Sequence, residues 1–383
     1  MTERAVGITI TALLFLLPGG PGSAQDGPAP VQRDEPPVVA EVEASFLRIP
    51  SLGTPLLAWF GDEIPSPRYT TRLDNRLGFR NHFQSIQRVP GSNYLVVSGS
   101  DANAPSSSLF VIRLASRPGD AALGSNLRGV GPAPRGDEVV ARVVIDTGLW
   151  HAGGLAAYGR VLAVPVYGGS PLTGRVLFYD VGDPENPVRM PVRIERPGRK
   201  AYAVAMTRLA NRHYLVAVLS DRDELARRLD LYLSQTEELT DGFGAEPVTW
   251  LAEQVIARQG QDANFGDFQN IGFVRQTDGR VFLVGLHNTA PSMDILPGRD
   301  YADLYEMQFA DSLTRFASPE LDVPTVTKIA NRHLVCQAGH CNLDAAAGLY
   351  VDSEGNLSVY ATTFWLDGNA LKITEFAPPT AAQ

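Results

Sequence analysis

The chain has 383 residues, 44% of them hydrophobic and 20% charged, enough to bury a sizeable core. With 33 Lys+Arg against 42 Asp+Glu the formal net charge is −9 and no basic run interrupts it, which argues against nucleic acid or anionic lipid as a partner. The 36 Gly and 28 Pro, about a sixth of the chain, predict many turns without reaching the composition of low-complexity chains.

Residues 1–24 read as a secretory signal peptide. Arg4 gives a short positive region, residues 5–17 are apolar or small, and Pro18-Gly19-Gly20-Pro21 ends any helix before Gly22-Ser23-Ala24. An apolar run of that length is too short to span a bilayer core of about 30 Å, and no later segment is longer, so no transmembrane segment is expected. The localisation expected is therefore exported, periplasmic or extracellular. Residues 25–40 are Pro-rich and aperiodic, a disordered leader. In an exported chain Cys336 and Cys341 suit a local disulfide; His333 and His340 nearby leave a mixed Cys/His metal site as the alternative, although the spacing matches no closed zinc pattern.

From residue 82 the sequence repeats itself. Each copy has a small-residue strand, a tight turn with Gly or Asn, a strongly apolar strand, a polar loop and an alternating third strand. The first strands fall at 82–87, 151–156, 201–206, 267–272 and 345–350. The second fall at 94–98, 161–166, 214–218, 281–285 and 357–361. The third fall at 109–114, 176–181, 229–233, 303–309 and 370–376. Gly and Asn supply the positive φ of tight hairpins, and β-branched and aromatic residues fit a pleated surface. Excess length sits in loops at 115–138, 234–247 and 289–299, and 188–194 reads as a fourth strand. Short helices are conceivable at 222–229 and 250–258, the second also reading as an outer strand. Radial repetition hides sheet edges. The expected fold is all-β, a five-bladed β-propeller over residues 41–378 with a tail at 379–383. The last copy lacks a fourth strand, which Ala44-Ser45-Phe46-Leu47-Arg48-Ile49 would supply to close the ring. A pair of packed β-sandwiches is the alternative.

Phe178-Tyr179-Asp180-Val181 followed by Gly182-Asp183-Pro184-Glu185-Asn186-Pro187 joins an apolar strand ending in Asp to an Asp-Pro turn. In this one copy the chain resembles the LVIVD-type and YncE-like bacterial β-propeller repeat proteins. The resemblance implies an exported or surface propeller with a binding role, and it carries over no catalytic residue.

In a propeller the first strand of each blade lines the axis. Aligning the copies puts His82, His151, Ala201, Asp267 and Ala345 at equivalent starts, with Asp344 one residue earlier. His82, His151, Asp267 and Asp344 are thus the expected lining of one channel mouth. His82, His151 and Asp267 would suit a divalent metal with open positions. The plainer reading is polar strand starts bonded to backbone or water. Asp267 and Asp344 are the pair a glycan hydrolase would use as acid and base, but the inner-strand Glu usual in such enzymes is missing. Trp59, Trp150, Trp250 and Trp365 are either core or stacking platforms for a sugar or partner. Nucleophile-elbow and phosphate-loop motifs are absent. The expectation is a monomeric binding or scaffold protein for a small molecule, glycan or protein partner, with a hydrolase, glycan-directed or metal-assisted, as runner-up.

Overall fold

The structure, a computed structural model, describes residues 35–64, 66–67, 81–101, 106–114, 137–220, 227–244, 247–252, 265–289, 299–308, 325–336 and 340–378. The expected signal peptide, residues 25–34 of the leader and the tail lie outside the described residues. The short helices considered at 222–229 and 250–258 also lie partly outside them.

The described chain opens with a one-and-a-half-turn helix, α1 (Val42–Leu47), and a strand, β1 (Thr54–Phe60). Five units of antiparallel strands follow. The first comprises β2 (His82–Arg88), β3 (Tyr94–Asp101), β4 (Ser106–Arg113) and β5 (Glu138–Asp146). The second comprises β6 (His151–Ala152), β7 (Ala156–Tyr158), β8 (Val161–Gly168), β9 (Thr173–Asp180) and β10 (Val188–Pro197). The third comprises β11 (Ala203–Arg208), β12 (Tyr214–Leu219), β13 (Arg228–Leu233) and β14 (Val248–Leu251). The fourth comprises β15 (Asn270–Arg275), β16 (Val281–Asn288), β17 (Asp300–Gln308) and β18 (Thr325–Leu334). The fifth comprises β19 (Ala346–Val351), β20 (Leu357–Thr362) and β21 (Ala370–Phe376), completed by β1 from the other end of the chain. All five three-stranded repeats read from the sequence are present.

The fourth strand of the last unit corrects one expectation. Residues 44–49 do not form it. Val42, Ser45 and Phe46 are buried together, and it is the three-residue step from Val42 to Ser45 that a helix face accommodates and a strand face does not. So short a helix is marginal alone. It is held by burial of Phe46, worth about 2–3 kcal/mol, and by Ser45, whose Oγ donates to the Gly355 carbonyl and accepts from Leu357 N–H. The strand lies ten residues on, where Leu56, Ala58 and Phe60 alternate inward with Leu57 and Trp59 outward. Pro55 is tolerated because only Trp59 and Phe60, at the far end of β1, pair with β5; among the described residues the rest of that side is an edge.

Five apolar clusters among the described residues each join one unit to the next. Phe110 and Val97 of the first unit meet Ile373 and Leu371 of the fifth. Val96 and Leu109 of the first meet Val164 and Tyr179 of the second. Phe178 and Ile194 meet Val204 and Tyr232. Leu231 and Trp250 meet Ile271 and Tyr305. Val284 and Leu304 meet Val359 and Leu349, with α1 alongside. The first strands of the units approach one another closely. Ala347 of β19 pairs with Ser85 of β2 in parallel, and Gly154 bridges to Ala203. This explains the small residues that mark each first strand. A Cβ at Gly153 would overlap the Tyr202 carbonyl, and one at Gly348 would overlap that of Ile86. At Gly153-Gly154 the second unit's first strand splits into β6 and β7, because Gly154 exchanges both backbone bonds with Tyr202 and Val204 of the next unit. Among the described residues no helix is long and apolar enough to cross a membrane.

Candidate functional site

His82 and His151 open β2 and β6, and the structure brings them together with ring centroids 5.4 Å apart. Both are buried, His82 to 9% exposure and His151 to 7%. They sit in the middle of a run of aromatic rings. Half-exposed Trp365 packs on Phe364 at 5.3 Å, Phe364 on His82 at 6.0 Å, and His151 on half-exposed Trp150 at 5.1 Å. His151 also stacks on Tyr167 at 4.3 Å, and Tyr202 lies 6.3 Å from His151 and 6.4 Å from Tyr167. Lys200 lies over the Tyr167 ring at 5.6 Å. Gly168 leaves room for Trp150. Its φ is +152°, and a Cβ there would stand 3.1 Å from the indole.

Beneath the rings a buried polar relay crosses between units. Tyr202 O–H donates to Gln269 Oε1, Gln269 Nε2 donates to Gln84 Oε1 at 2.7 Å, and Gln84 Nε2 faces His151 Nε2 at 3.3 Å. An amide nitrogen only donates, so His151 Nε2 is the acceptor and its neutral tautomer carries the proton on Nδ1. Ser85 ties the next layer. Its hydroxyl donates to the Ala347 carbonyl at 3.1 Å and accepts from Leu155 N–H at 2.9 Å and from Asn270 at 2.6 Å. The space between the first strands is thus filled by side-chain amides, hydroxyls and backbone.

Asp267 is half-buried, three residues before β15, and Asp344 is buried in the turn before β19. That turn is set by Asn342, whose Oδ1 accepts from Asp344 N–H at 2.7 Å. Next to it the Cys336–Cys341 disulfide is formed, Cα atoms 5.3 Å apart. Among the described residues no three His, Cys, Asp or Glu side chains stand where they could share a metal ion, so His82, His151 and Asp267 are not assembled as a metal centre. The Nε2 lone pair of His151 is moreover turned to Gln84. The four tryptophans divide: Trp250 is fully buried core, Trp59 is exposed on β1, and Trp150 and Trp365 end the ring run.

A cavity of about 50 Å³ lies at the opposite end of the first strands. Gln87 of β2, Tyr158 of β7, Met206 of β11, Phe273 of β15 and Tyr350 of β19 line it, so all five first strands converge on it. It has room for a few waters and not for an organic ligand.

Sequence reasoning missed Gln84, Tyr167, Tyr202, Gln269 and Phe364. The available signal was the pair of dipeptides Trp150-His151 and Phe364-Trp365, which flank strand ends on the same side of two units.

No family model matches the chain, and no curated protein matches it. Among solved structures, a hypothetical protein from Leishmania major aligns over 88% of this chain and 94% of its own, at 12% identity and a TM-score of 0.40. A likeness that slight carries no argument.

Proposed function

We propose that the chain is an exported, monomeric five-bladed β-propeller that binds a glycan across the ring-lined end of its axis, and that it is a binding protein rather than an enzyme. The fold reading is supported by the cyclic order of the apolar clusters and by a cavity lined from all five first strands. Export is supported by the disulfide, which belongs to an oxidising compartment. Kinship with the LVIVD-type and YncE-like propellers is part of the same proposal and is supported by the turn after β9. There Asp180 accepts from Gly182 N–H at 2.8 Å and Asp183 from Glu185 N–H at 3.1 Å.

One observation carries the ligand reading. The continuous run Trp365–Phe364–His82–His151–Trp150 leaves its two indoles half-exposed and its centre buried. Half-exposed indole faces suit the C–H faces of sugar rings, and the buried rings hold them rigid. The test is tryptophan-fluorescence titration against a panel of soluble polysaccharides and their oligosaccharides. Binding without release of reducing ends is expected. Trp365→Ala and Gly168→Ala should each weaken it about tenfold, the ratio that ~1.4 kcal/mol of lost stacking represents. Turnover abolished by Asp267→Ala would replace this reading with the hydrolase.

A further inference from the structure

The cavity at the other end of the first strands is roofed by the chain itself. Pro36, Pro37 and Val38 complete its wall opposite Met206, Phe273, Leu349 and Tyr350. Both prolines are half-buried. At one end this segment is fixed by charge: Arg208 Nη1 donates to Glu35 Oε1 at 3.0 Å. At the other it is fixed by backbone. Val39 N–H donates to the Arg275 carbonyl at 2.9 Å, the Val39 carbonyl accepts from Thr277 N–H at 3.0 Å, and the two stretches run parallel. Between these anchors two prolines, with no N–H to offer, lie across aromatic and aliphatic side chains. That arrangement is how proline-rich peptides are held: an extended backbone that loses little entropy on binding, apolar rings against an aromatic-lined groove, one charge setting direction. The roof leaves volume beneath it unfilled, so the segment covers the groove rather than packing it as core.

We propose that this end of the first strands is a peptide-binding groove for an extended Glu-Pro-Pro-aliphatic segment of a partner protein, and that residues 35–38 are a tethered occupant that such a partner displaces. The proposal stands apart from the reading of the histidine end. It explains why Pro36 and Pro37 line the same cavity as residues of all five first strands although α1 and β1 already anchor this part of the chain. A tethered occupant acts at an effective concentration on the order of millimolar, so a free peptide competes poorly until the tether is loosened.

The probe is a fluorescein-labelled Glu-Pro-Pro-Val-Val peptide, followed by anisotropy with the full chain and two full-chain variants. Pro36→Gly/Pro37→Gly weakens the tethered segment at its rings. Glu35→Arg weakens it at its charge, and half of that side chain is already exposed, so the fold is not at stake. Each variant should bind the peptide at least about tenfold more tightly than the unaltered chain. A peptide with Lys in place of Glu should bind severalfold more weakly than the Glu peptide to the proline variant. Saturable binding that follows this order supports the proposal. A Glu35→Arg chain with unchanged melting temperature and no gain in peptide binding overturns it, and so does equal binding of the Glu and Lys peptides.

Discussion

The tripeptide Asp-Leu-Tyr occurs in the third strand of two units, as Asp230-Leu231-Tyr232 in β13 and as Asp303-Leu304-Tyr305 in β17, and the two copies are wired differently. Both aspartates are fully buried, and both accept from a residue of the next strand, Thr249 or Asn331. Asp230 takes its cation from the neighbouring unit. Arg196 of β10 stands 2.7 Å away with no exposure, and it also donates to Lys200 O, Tyr232 Oη and Ser220 Oγ. Asp303 takes its partners from its own sheet: Lys328 of β18 at 2.9 Å, His287 of β16 at 3.2 Å and the Tyr305 hydroxyl at 3.2 Å. One tripeptide therefore staples two units together in the first case and braces a single sheet in the second. The aspartate's own strand does not decide which. The reach of the cation does.

Removing the cross-unit pair should do the most damage. Asp230→Ala leaves a guanidinium buried without its counter-charge, and a loss of about 3–5 kcal/mol is expected in urea denaturation. Asp303→Asn should cost less, about 1–3 kcal/mol, because Lys328 is 18% exposed and can turn its ammonium to water. A smaller loss for Asp230→Ala than for Asp303→Asn would break the distinction. The Asp303 cluster also has a pH signature. Burial pushes the Asp303 carboxyl up, but the hydrogen bonds and charge of His287, with Asn331 and Lys328, outweigh it and hold the carboxyl below the usual range. A group depressed in the folded state contributes stability above its unfolded value of about 3.9 and loses it as pH falls further. Melting temperature should therefore fall as pH drops below about 4, and Asp303→Asn should flatten that part of the curve. The smallest effect belongs to Arg199, 38% exposed and 3.4 Å from Asp230. Arg199→Ala should move stability by less than about 0.5 kcal/mol, as expected of an exposed partner whose role Arg196 already fills.

These clusters mark where sequence reading stops. The three-stranded repeats were legible because each is local: Gly279, Gly355 or Asn93 in a turn, β-branched residues on both sides, and a third strand after a polar loop. The disulfide was legible for the same reason, two cysteines five positions apart. Histidines at equivalent strand starts pointed to one real neighbourhood, since His82 and His151 do meet. What lies around them was not legible. Gln84, Tyr202 and Gln269 come from three units, and nothing in their local sequence differs from any polar residue at a strand start. The helix at 42–47 was misjudged because six residues carry too little pattern to separate a period of 3.6 from one of 2. Its partner surfaces, Gln276 and Gly355, are supplied by units four and five.

The pairing of β1 with β21 has a consequence for how the molecule is made. More than 300 residues separate β1 from β21, yet Leu56 must find Ile373 and Ala58 must find Leu371. Until β21 is in place, an edge bearing Leu56, Ala58 and Phe60 lacks its partner strand, and contacts so distant in sequence form late. The fifth unit is therefore the one whose closure waits on contacts between opposite ends of the described chain, and the edge of β1 stays open to wrong pairing until β21 arrives.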